Sequence, residues 1–231
     1  MNTYAARIAP VLNDAYVSLR RAAGPRTRDL VDARGIERGA VGVLADVYFA
    51  ILDHPIPNSG LAAVTRYADP AEVAASVEQT VGAGLIVRDP DGRLDLTDSG
   101  RDLMCAMAQT IAADRPVDDA VNEMLGRLLL AGRAGGGDAF AAMTPPYEPP
   151  DASAAMLFSH RLGALRHYRA DAHAAAWSAR GLSAAQMVAL PAGDLRRAIE
   201  DDTNRRDEPI YAVLSDAERD AFHDGVRALI H

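Results

Sequence analysis

Residues 69–84 restrict the fold more than any other segment, because they combine a strong helix start with a regular apolar face. Asp69 is a favourable N-cap, Pro70 suits the first helical turn, and Glu72 lies at capping-box spacing from Asp69. Three valines at four-residue spacing define the face that we expect to be buried: Val73, Val77 and Val81. The segment therefore predicts a helix packed against the protein on one side.

A short β-hairpin is predicted directly after this helix. Asp-Pro-Asp-Gly at 89–92 is typical of a turn, and residues 93–96 alternate polar and apolar side chains as a half-buried strand does. Residues 84–88 supply the partner strand, and a helix follows over 97–113. Upstream, apolar periodicity predicts three more helices: 2–23, 39–52 and 59–67. Gly24-Pro25 is expected to end the first of them.

The composition favours helices packed on helices. Of the 231 residues, 49% are hydrophobic, yet only four are Phe and one is Trp, so Ala, Leu and Val must fill the core. A chain of this length forms one large domain or two small ones. The predicted fold class is therefore mainly α, with one small two-stranded element.

A Gly/Pro-rich segment predicts a division of the chain into two domains. Residues 134–151 contain Gly135-Gly136-Gly137 and four prolines, which is typical of a linker. We expect an N-terminal domain over 1–133 and a C-terminal helical module over 152–231. Four helices are predicted in that module: a long one over 152–179, one opened by Ser183 and Gln186, one over 192–207, and one opened by Ser215 and Glu218.

The sequence GLIVRDPDGRLDLTDSGRDL, residues 84–103, resembles the corresponding part of the MarR-like winged-helix family. The resemblance extends over 39–113 and implies a winged helix-turn-helix with a small two-stranded wing, followed here by the C-terminal helical module. It also implies a DNA-binding transcriptional regulator that forms a homodimer through its terminal helices.

The residues of the expected reading helix do not suit DNA well. Residues 69–84 carry three acids and neither Arg nor Lys, and the whole chain has a net charge of −8. A DNA-binding surface would have to use a nearby set of donors: Arg66, Gln79, Arg88 and Arg93. The alternative is a winged helix kept as a scaffold or as a protein-contact surface.

Two C-terminal segments resemble a group of actinobacterial SalK-like helical proteins. HYRADAHAAAWSARGLSAAQM at 167–187 matches through Arg169, Asp171, Ala172, His173, Gly181 and Leu182. IEDDTNRRDEPIYAVL at 199–214 matches through Thr203, Arg205, Pro209 and Tyr211. The group usually has its winged-helix module between these two segments, whereas here the module lies upstream. The resemblance implies a link to small-molecule metabolism.

The long helix over 152–179 carries the candidate ligand-binding residues. Arg161 and Arg169 fall within or beside its apolar stripe, with Tyr168 at the border. A cavity there would hold a carboxylate or phenolate ligand, bound by four side chains: Arg161, Tyr168, Arg169 and His173. The alternative is a structural salt bridge to acids of the 192–207 helix, such as Glu200 or Asp202.

Other chemistry has weaker support in the sequence. His173 is a candidate catalytic acid or base, but a histidine at a helix interface more often bonds a carbonyl. His160, His167 and Asp171 form a polar stripe without any usual zinc signature, so we expect no metal. No phosphate-binding or dinucleotide-binding motif occurs, so no cofactor is expected. Cys105 is expected to be an inert thiol.

The leading hypothesis is a small-molecule-responsive protein that binds an organic, possibly anionic, ligand between the winged-helix part and the C-terminal helices. The alternatives are a DNA-binding regulator and a cofactor-independent enzyme of specialised metabolism. No apolar run of 18 residues and no signal pattern occur, so no membrane association and a cytoplasmic location are expected.

Overall fold

The computed structural model describes residues 3–112 and 116–230 and is mainly helical, with one small antiparallel sheet. The N-terminal part contains α1 (Tyr4–Ala33), a 3₁₀ helix (Arg38–Val41), α2 (Leu44–Ile51), α3 (Asn58–Val64), α4 (Pro70–Gly82), β1 (Ile86–Arg88), β2 (Leu94–Leu96) and α5 (Asp98–Ala112). The rest contains α6 (Asp119–Gly132), α7 (Asp138–Ala142), α8 (Ala154–Ser178), α9 (Ala184–Ala189), α10 (Asp194–Asp207), a second 3₁₀ helix (Glu208–Val213) and α11 (Asp216–Arg227).

The predicted stop at Gly24-Pro25 is wrong, because α1 continues through it to Ala33. A side chain before proline usually clashes with the proline ring in a helix, but Gly24 has no Cβ to clash. Pro25 still removes one N–H from the helix. Burial of Ala23 and Val31 on either side offsets that loss. Residue 2, the predicted start, lies outside the described residues.

The helix predicted over 39–52 is divided into the first 3₁₀ helix and α2. Gly42 lies between the two pieces, where a Cβ would be 2.9 Å from Ser76 Oγ. The Val43 N–H donates to Ser76 Oγ over 3.1 Å. A side chain of α4 thus binds a backbone group at the start of α2, and close packing against α4 accompanies the break.

The capped helix and the hairpin are confirmed. The Asp69 carboxylate accepts from the Ala71 and Glu72 N–H groups at 2.7 and 3.4 Å. Val77 is buried, while the other two valines of that face pack against the core at partial burial. β1 and β2 pair antiparallel, with Ile86 opposite Leu96, and Ile56 adds a bridge to Leu94. The end predicted for α5, at residue 113, lies outside the described residues.

The predicted linker, residues 134–151, differs from expectation because it is packed into the protein and contains α7. Phe140 and Met143 are almost completely buried, and the Tyr147 N–H donates to the Phe49 carbonyl over 2.7 Å. A Cβ at Gly136 would lie 2.3 Å from the Phe140 ring, so the glycine allows this close packing. The large core cluster includes residues from both sides of the segment.

Helix α8 lies at the centre of the fold, in contact with α1, α5, α6, α7 and α10. Because partners surround it, apolar residues face several directions instead of one stripe. Gly163 allows the Phe49 ring to pack closely against α8, since a Cβ there would lie 2.6 Å from that ring. The helices predicted after α8 are confirmed, including the capping boxes of Ser183 with Gln186 and Ser215 with Glu218.

In the ranges that the structure describes, no helix combines the length and the apolarity required to cross a membrane.

His160 is a completely buried histidine on α8. Its Nδ1–H donates to the Tyr147 carbonyl over 2.6 Å, and its ring stacks on Phe49 with centroids 6.0 Å apart. Nε2 is buried without a hydrogen-bond partner in the described ranges. Protonation would place a positive charge there without an acceptor, and burial lowers the pKa of His160 from its ordinary value of 6.5.

We predict that His160 makes the protein less stable in acid. Below pH 6.5 the unfolded chain binds a proton at His160 that the folded protein resists, so the free energy of unfolding falls as the pH falls. The contribution to this slope is at most about 1.4 kcal/mol per pH unit. Chemical denaturation of His160→Gln between neutral and mildly acidic pH should give a shallower slope than the unchanged protein. An identical slope in the two proteins would show that His160 is not a source of the pH dependence.

Candidate ligand-binding cavities

Arg161 is held in a structural ion pair. Its Nε and one terminal nitrogen donate to the two oxygens of Glu148 at 2.7 and 2.6 Å. Its other terminal nitrogen donates to the Asn122 carbonyl over 2.7 Å. The guanidinium thus joins α8 to α6 and to the segment before α8, away from the other predicted ligand residues.

Tyr168 is buried against α7. Its ring lies edge-on to Phe140, with centroids 5.5 Å apart and an interplanar angle of 83°. Burial raises the pKa of Tyr168, with a smaller contribution from Asp207. These contacts give the ring a packing role.

Arg169 is bound by two carboxylates of α10. It donates to Asp207 over 3.0 Å and also pairs with Glu200. The salt bridge that the sequence offered for Glu200 is therefore present, whereas Asp202 binds Arg180 at 2.9 Å. Asp207 is 1% exposed, and this burial raises its pKa to about 6 although Arg169 opposes the shift.

His173 belongs to a hydrogen-bonded group of three aromatic side chains. Its Nδ1 lies 2.6 Å from the Tyr67 hydroxyl, which also accepts from Trp177 Nε1 over 3.0 Å. Burial lowers the pKa of His173, so the imidazole favours its neutral form. When Tyr67 donates to Nδ1, the remaining imidazole proton lies on Nε2.

Of the four predicted ligand residues, only Arg169 and His173 line the same cavity. This cavity, here called the α1–α8–α10 cavity, has a volume of ≈ 440 Å³, which is within the range of small-molecule sites. It is open to solvent on one side, and its wall also includes Arg166 of α8 and Tyr211 of the second 3₁₀ helix.

A second cavity lies on another part of α1, between α1, the first 3₁₀ helix, α2 and α5. Its volume is ≈ 310 Å³, at the lower end of the range for small-molecule sites. We call it the α1–α5 cavity. Its apolar walls come from four buried side chains: Val31, Val41, Met107 and Ile111. Ala23 and Gly24 leave room between them.

The charged residues that line the α1–α5 cavity are all positive. Its lining includes Arg20, Arg28 and Arg38 but no Asp or Glu. Arg38 is paired with Asp32 at 2.5 Å, outside the cavity. Arg20 lies over the Tyr48 ring, 5.7 Å from its centroid, and neither Arg20 nor Arg28 has a salt bridge within the described ranges. An apolar space bounded by two such arginines suits an apolar molecule with an anionic end.

Sequence reasoning missed this cavity because it ended the first helix at Gly24-Pro25. With α1 extended to Ala33, the lining residues of α1 follow at helical spacing: Arg20, Ala23, Gly24, Thr27, Arg28 and Val31. The small residues Ala23 and Gly24 in the middle of this face were the signal in the sequence that could have indicated a cavity. The contributions of Met107 and Ile111 depend on how α5 packs across α1.

Of the four predicted DNA-binding residues, Arg66 is held inside the protein and Arg88 forms a surface ion pair. The Arg66 side chain is 14% exposed and pairs with Asp171, and it also donates to the Ala170 carbonyl over 3.2 Å. Arg88 donates to Glu78 over 3.0 Å. Gln79 and Arg93 are exposed. The arrangement therefore presents fewer free cations than the sequence offers.

The polar stripe of His160, His167 and Asp171 does not converge on a common point. His160 is bound to Tyr147, and Asp171 accepts from the Ala139 and Phe140 N–H groups of α7 as well as from Arg66. Within residues 3–112 and 116–230, no group of three His, Cys, Asp or Glu side chains has a geometry that would hold a metal ion.

We predict that Asp171→Asn destabilises the protein by about 3 kcal/mol, because a largely buried Arg66 then keeps its charge without a carboxylate. Urea denaturation would measure the change in the free energy of unfolding. Asp32→Asn, in the exposed pair with Arg38, is the matched control and should change it far less. Equal effects of the two substitutions would contradict a special role for Asp171.

No protein-family model, curated protein or solved structure matches this chain. The resemblances to MarR-like and SalK-like proteins therefore stay predictions from the sequence.

Proposed function

We propose that this protein is a small-molecule-responsive winged-helix protein that binds an apolar organic anion in the α1–α5 cavity. One observation carries the proposal: the cavity has apolar walls and three arginines but no acid, in a chain with a net charge of −8. Acidic residues outnumber basic ones in this chain, yet every charged residue that lines the cavity is an arginine. Such a lining favours anionic ligands.

The two ends of the proposed ligand follow from the lining. An apolar body would be removed from water between Val31, Met107 and Ile111, at about 25 cal/mol per Å² of buried apolar surface. A carboxylate would accept hydrogen bonds from Arg20 or Arg28, and such charged bonds are stronger than neutral ones. A small aliphatic or aromatic carboxylate combines both features.

The order of elements supports the winged-helix part of the proposal. Helices α2, α3 and α4 are followed by the β1–β2 hairpin and by α5, which is the order of a winged helix-turn-helix. The bridge between Ile56 and Leu94 ties the segment before α3 to the hairpin. In this interpretation α4 takes the place of the reading helix.

The cavity adjoins the helix that would respond. Val41 and Gly42 line the α1–α5 cavity, and Gly42 also packs against Ser76 of α4. The neighbouring Val43 N–H is bonded to the same serine. A ligand that displaces the first 3₁₀ helix would therefore also shift α4, which gives the proposed protein a route from binding to response.

The exposed surface of α4, which would carry this response, is less suited to contact with DNA than with another partner. The exposed side of α4 carries Glu72 and Glu78, and Arg66 is held inside the protein by Asp171. Both features weaken attraction to phosphates. The DNA-binding alternative, the homodimer and the cytoplasmic location stay predictions.

We predict that octanoate binds to the protein and that Arg28→Gln or Arg20→Gln weakens this binding at least about tenfold, by loss of a charged hydrogen bond. Binding of 1-octanol, which has the same chain without the charge, should not change. Isothermal titration calorimetry would measure both affinities. Arg21→Gln, a neighbour on α1 outside the cavity lining, is the matched control.

A further substitution tests the shape of the cavity without changing its charge. Thr27→Trp places a large ring in the cavity lining and should remove the binding of both compounds. The proposal is wrong if octanoate fails to bind, or if Arg20→Gln, Arg28→Gln and Thr27→Trp all bind it with the affinity of the unchanged protein.

A further inference from the structure

We infer that the α1–α8–α10 cavity is a second binding site, which takes an extended hydroxy- or amino-carboxylate with its carboxylate on Arg166. This site is separate from the α1–α5 cavity and does not depend on the function proposed for it. It rests on three features: an arginine without an ion pair, a polar far end, and a proline in the cavity wall.

Arg166 is fixed in place without a carboxylate partner. Its guanidinium lies over the Tyr16 ring, 3.9 Å from the centroid, and one nitrogen is 3.4 Å from Asn13 Oδ1. The side chain is only partly exposed, and it lines the cavity. Stacking on the ring restricts the guanidinium, so less conformational entropy is lost when it binds a ligand.

The other arginines of α8 show what Arg166 lacks. Arg161 holds Glu148, and Arg169 holds Glu200 and Asp207. Within the described ranges no acid lies in salt-bridge reach of Arg166; Asp46 acts on it only from a longer distance. A partly desolvated guanidinium without a counter-ion is unfavourable, and a ligand carboxylate would relieve this cost.

The far end of the cavity offers a hydrogen-bond acceptor. His173 lies seven residues beyond Arg166 on α8, which corresponds to about 10 Å along a helix. Glu200 lines the same end, with its side chain 54% exposed, and can accept hydrogen bonds there. A ligand that spans the cavity therefore needs a carboxylate at one end and a donor at the other.

In the proposed site, the wall formed by α1 would add a further acceptor. Pro10 lines the cavity and has no N–H, so it cannot donate to the carbonyl of Ala6 as a helix residue normally does. Ala6 lines the cavity as well. A carbonyl without its helical donor favours a ligand hydroxyl or ammonium group, which an apolar carboxylate lacks.

The inference is tested with D-gluconate and 6-aminohexanoate, and with hexanoate as the probe that lacks the second polar group. Isothermal titration calorimetry should show binding of at least one of the first two, at an affinity about tenfold or more above that of hexanoate. Arg166→Gln should lower this affinity by about tenfold or more, while Arg21→Gln leaves it unchanged. Ala9→Leu, which narrows the cavity without changing its charge, should also weaken binding.

The inference is overturned if neither D-gluconate nor 6-aminohexanoate binds in the millimolar range, or if Arg166→Gln binds them as the unchanged protein does. Circular dichroism of Arg166→Gln establishes that the variant is folded. Octanoate binding in the same variant distinguishes the two sites, because Arg166 does not line the α1–α5 cavity and octanoate affinity should persist. If the unchanged protein fails to bind octanoate but binds D-gluconate or 6-aminohexanoate through Arg166, the function proposed for the α1–α5 cavity is wrong and the second site stands.

Discussion

The rest of the structure depends on the carboxylate of Asp171, which joins three parts of the chain. It pairs with Arg66, which follows α3, and it accepts from the first amides of α7 while belonging to α8 itself. Both charged side chains are largely buried, so either one left alone would be costly. The same contact fixes residues 134–151 against α8 and removes Arg66 from the surface where a DNA-binding residue would be needed.

Local signals in the sequence predicted those elements whose ends are set by their own residues. Asp69 caps α4, and the turn at 89–92 joins two short strands, because capping and turn formation need only neighbouring groups. Gly24-Pro25 misled the prediction, since tertiary packing of Ala23 and Val31 keeps the helix intact. The segment 134–151 misled it in the same way, because burial of Phe140 outweighs a glycine-rich and proline-rich composition.

The candidate sites were harder to predict because each is assembled from distant residues. Sequence reasoning selected Arg169 from its position on a helix and also offered its pairing with Glu200, which is present. It overlooked Arg166, which has no carboxylate partner in the part of the chain that the structure describes. Whether an arginine has such a partner depends on the tertiary structure. The α1–α5 cavity requires α5 to cross α1, which no local pattern specifies.

A crystal structure of the protein with octanoate would test the central claim most directly. The account predicts the ligand in the α1–α5 cavity, with its carboxylate in hydrogen-bond range of Arg20 or Arg28 and its chain between Met107 and Ile111. It also predicts a shift of the first 3₁₀ helix together with α4. A ligand bound elsewhere, with the α1–α5 cavity unchanged, would contradict the account.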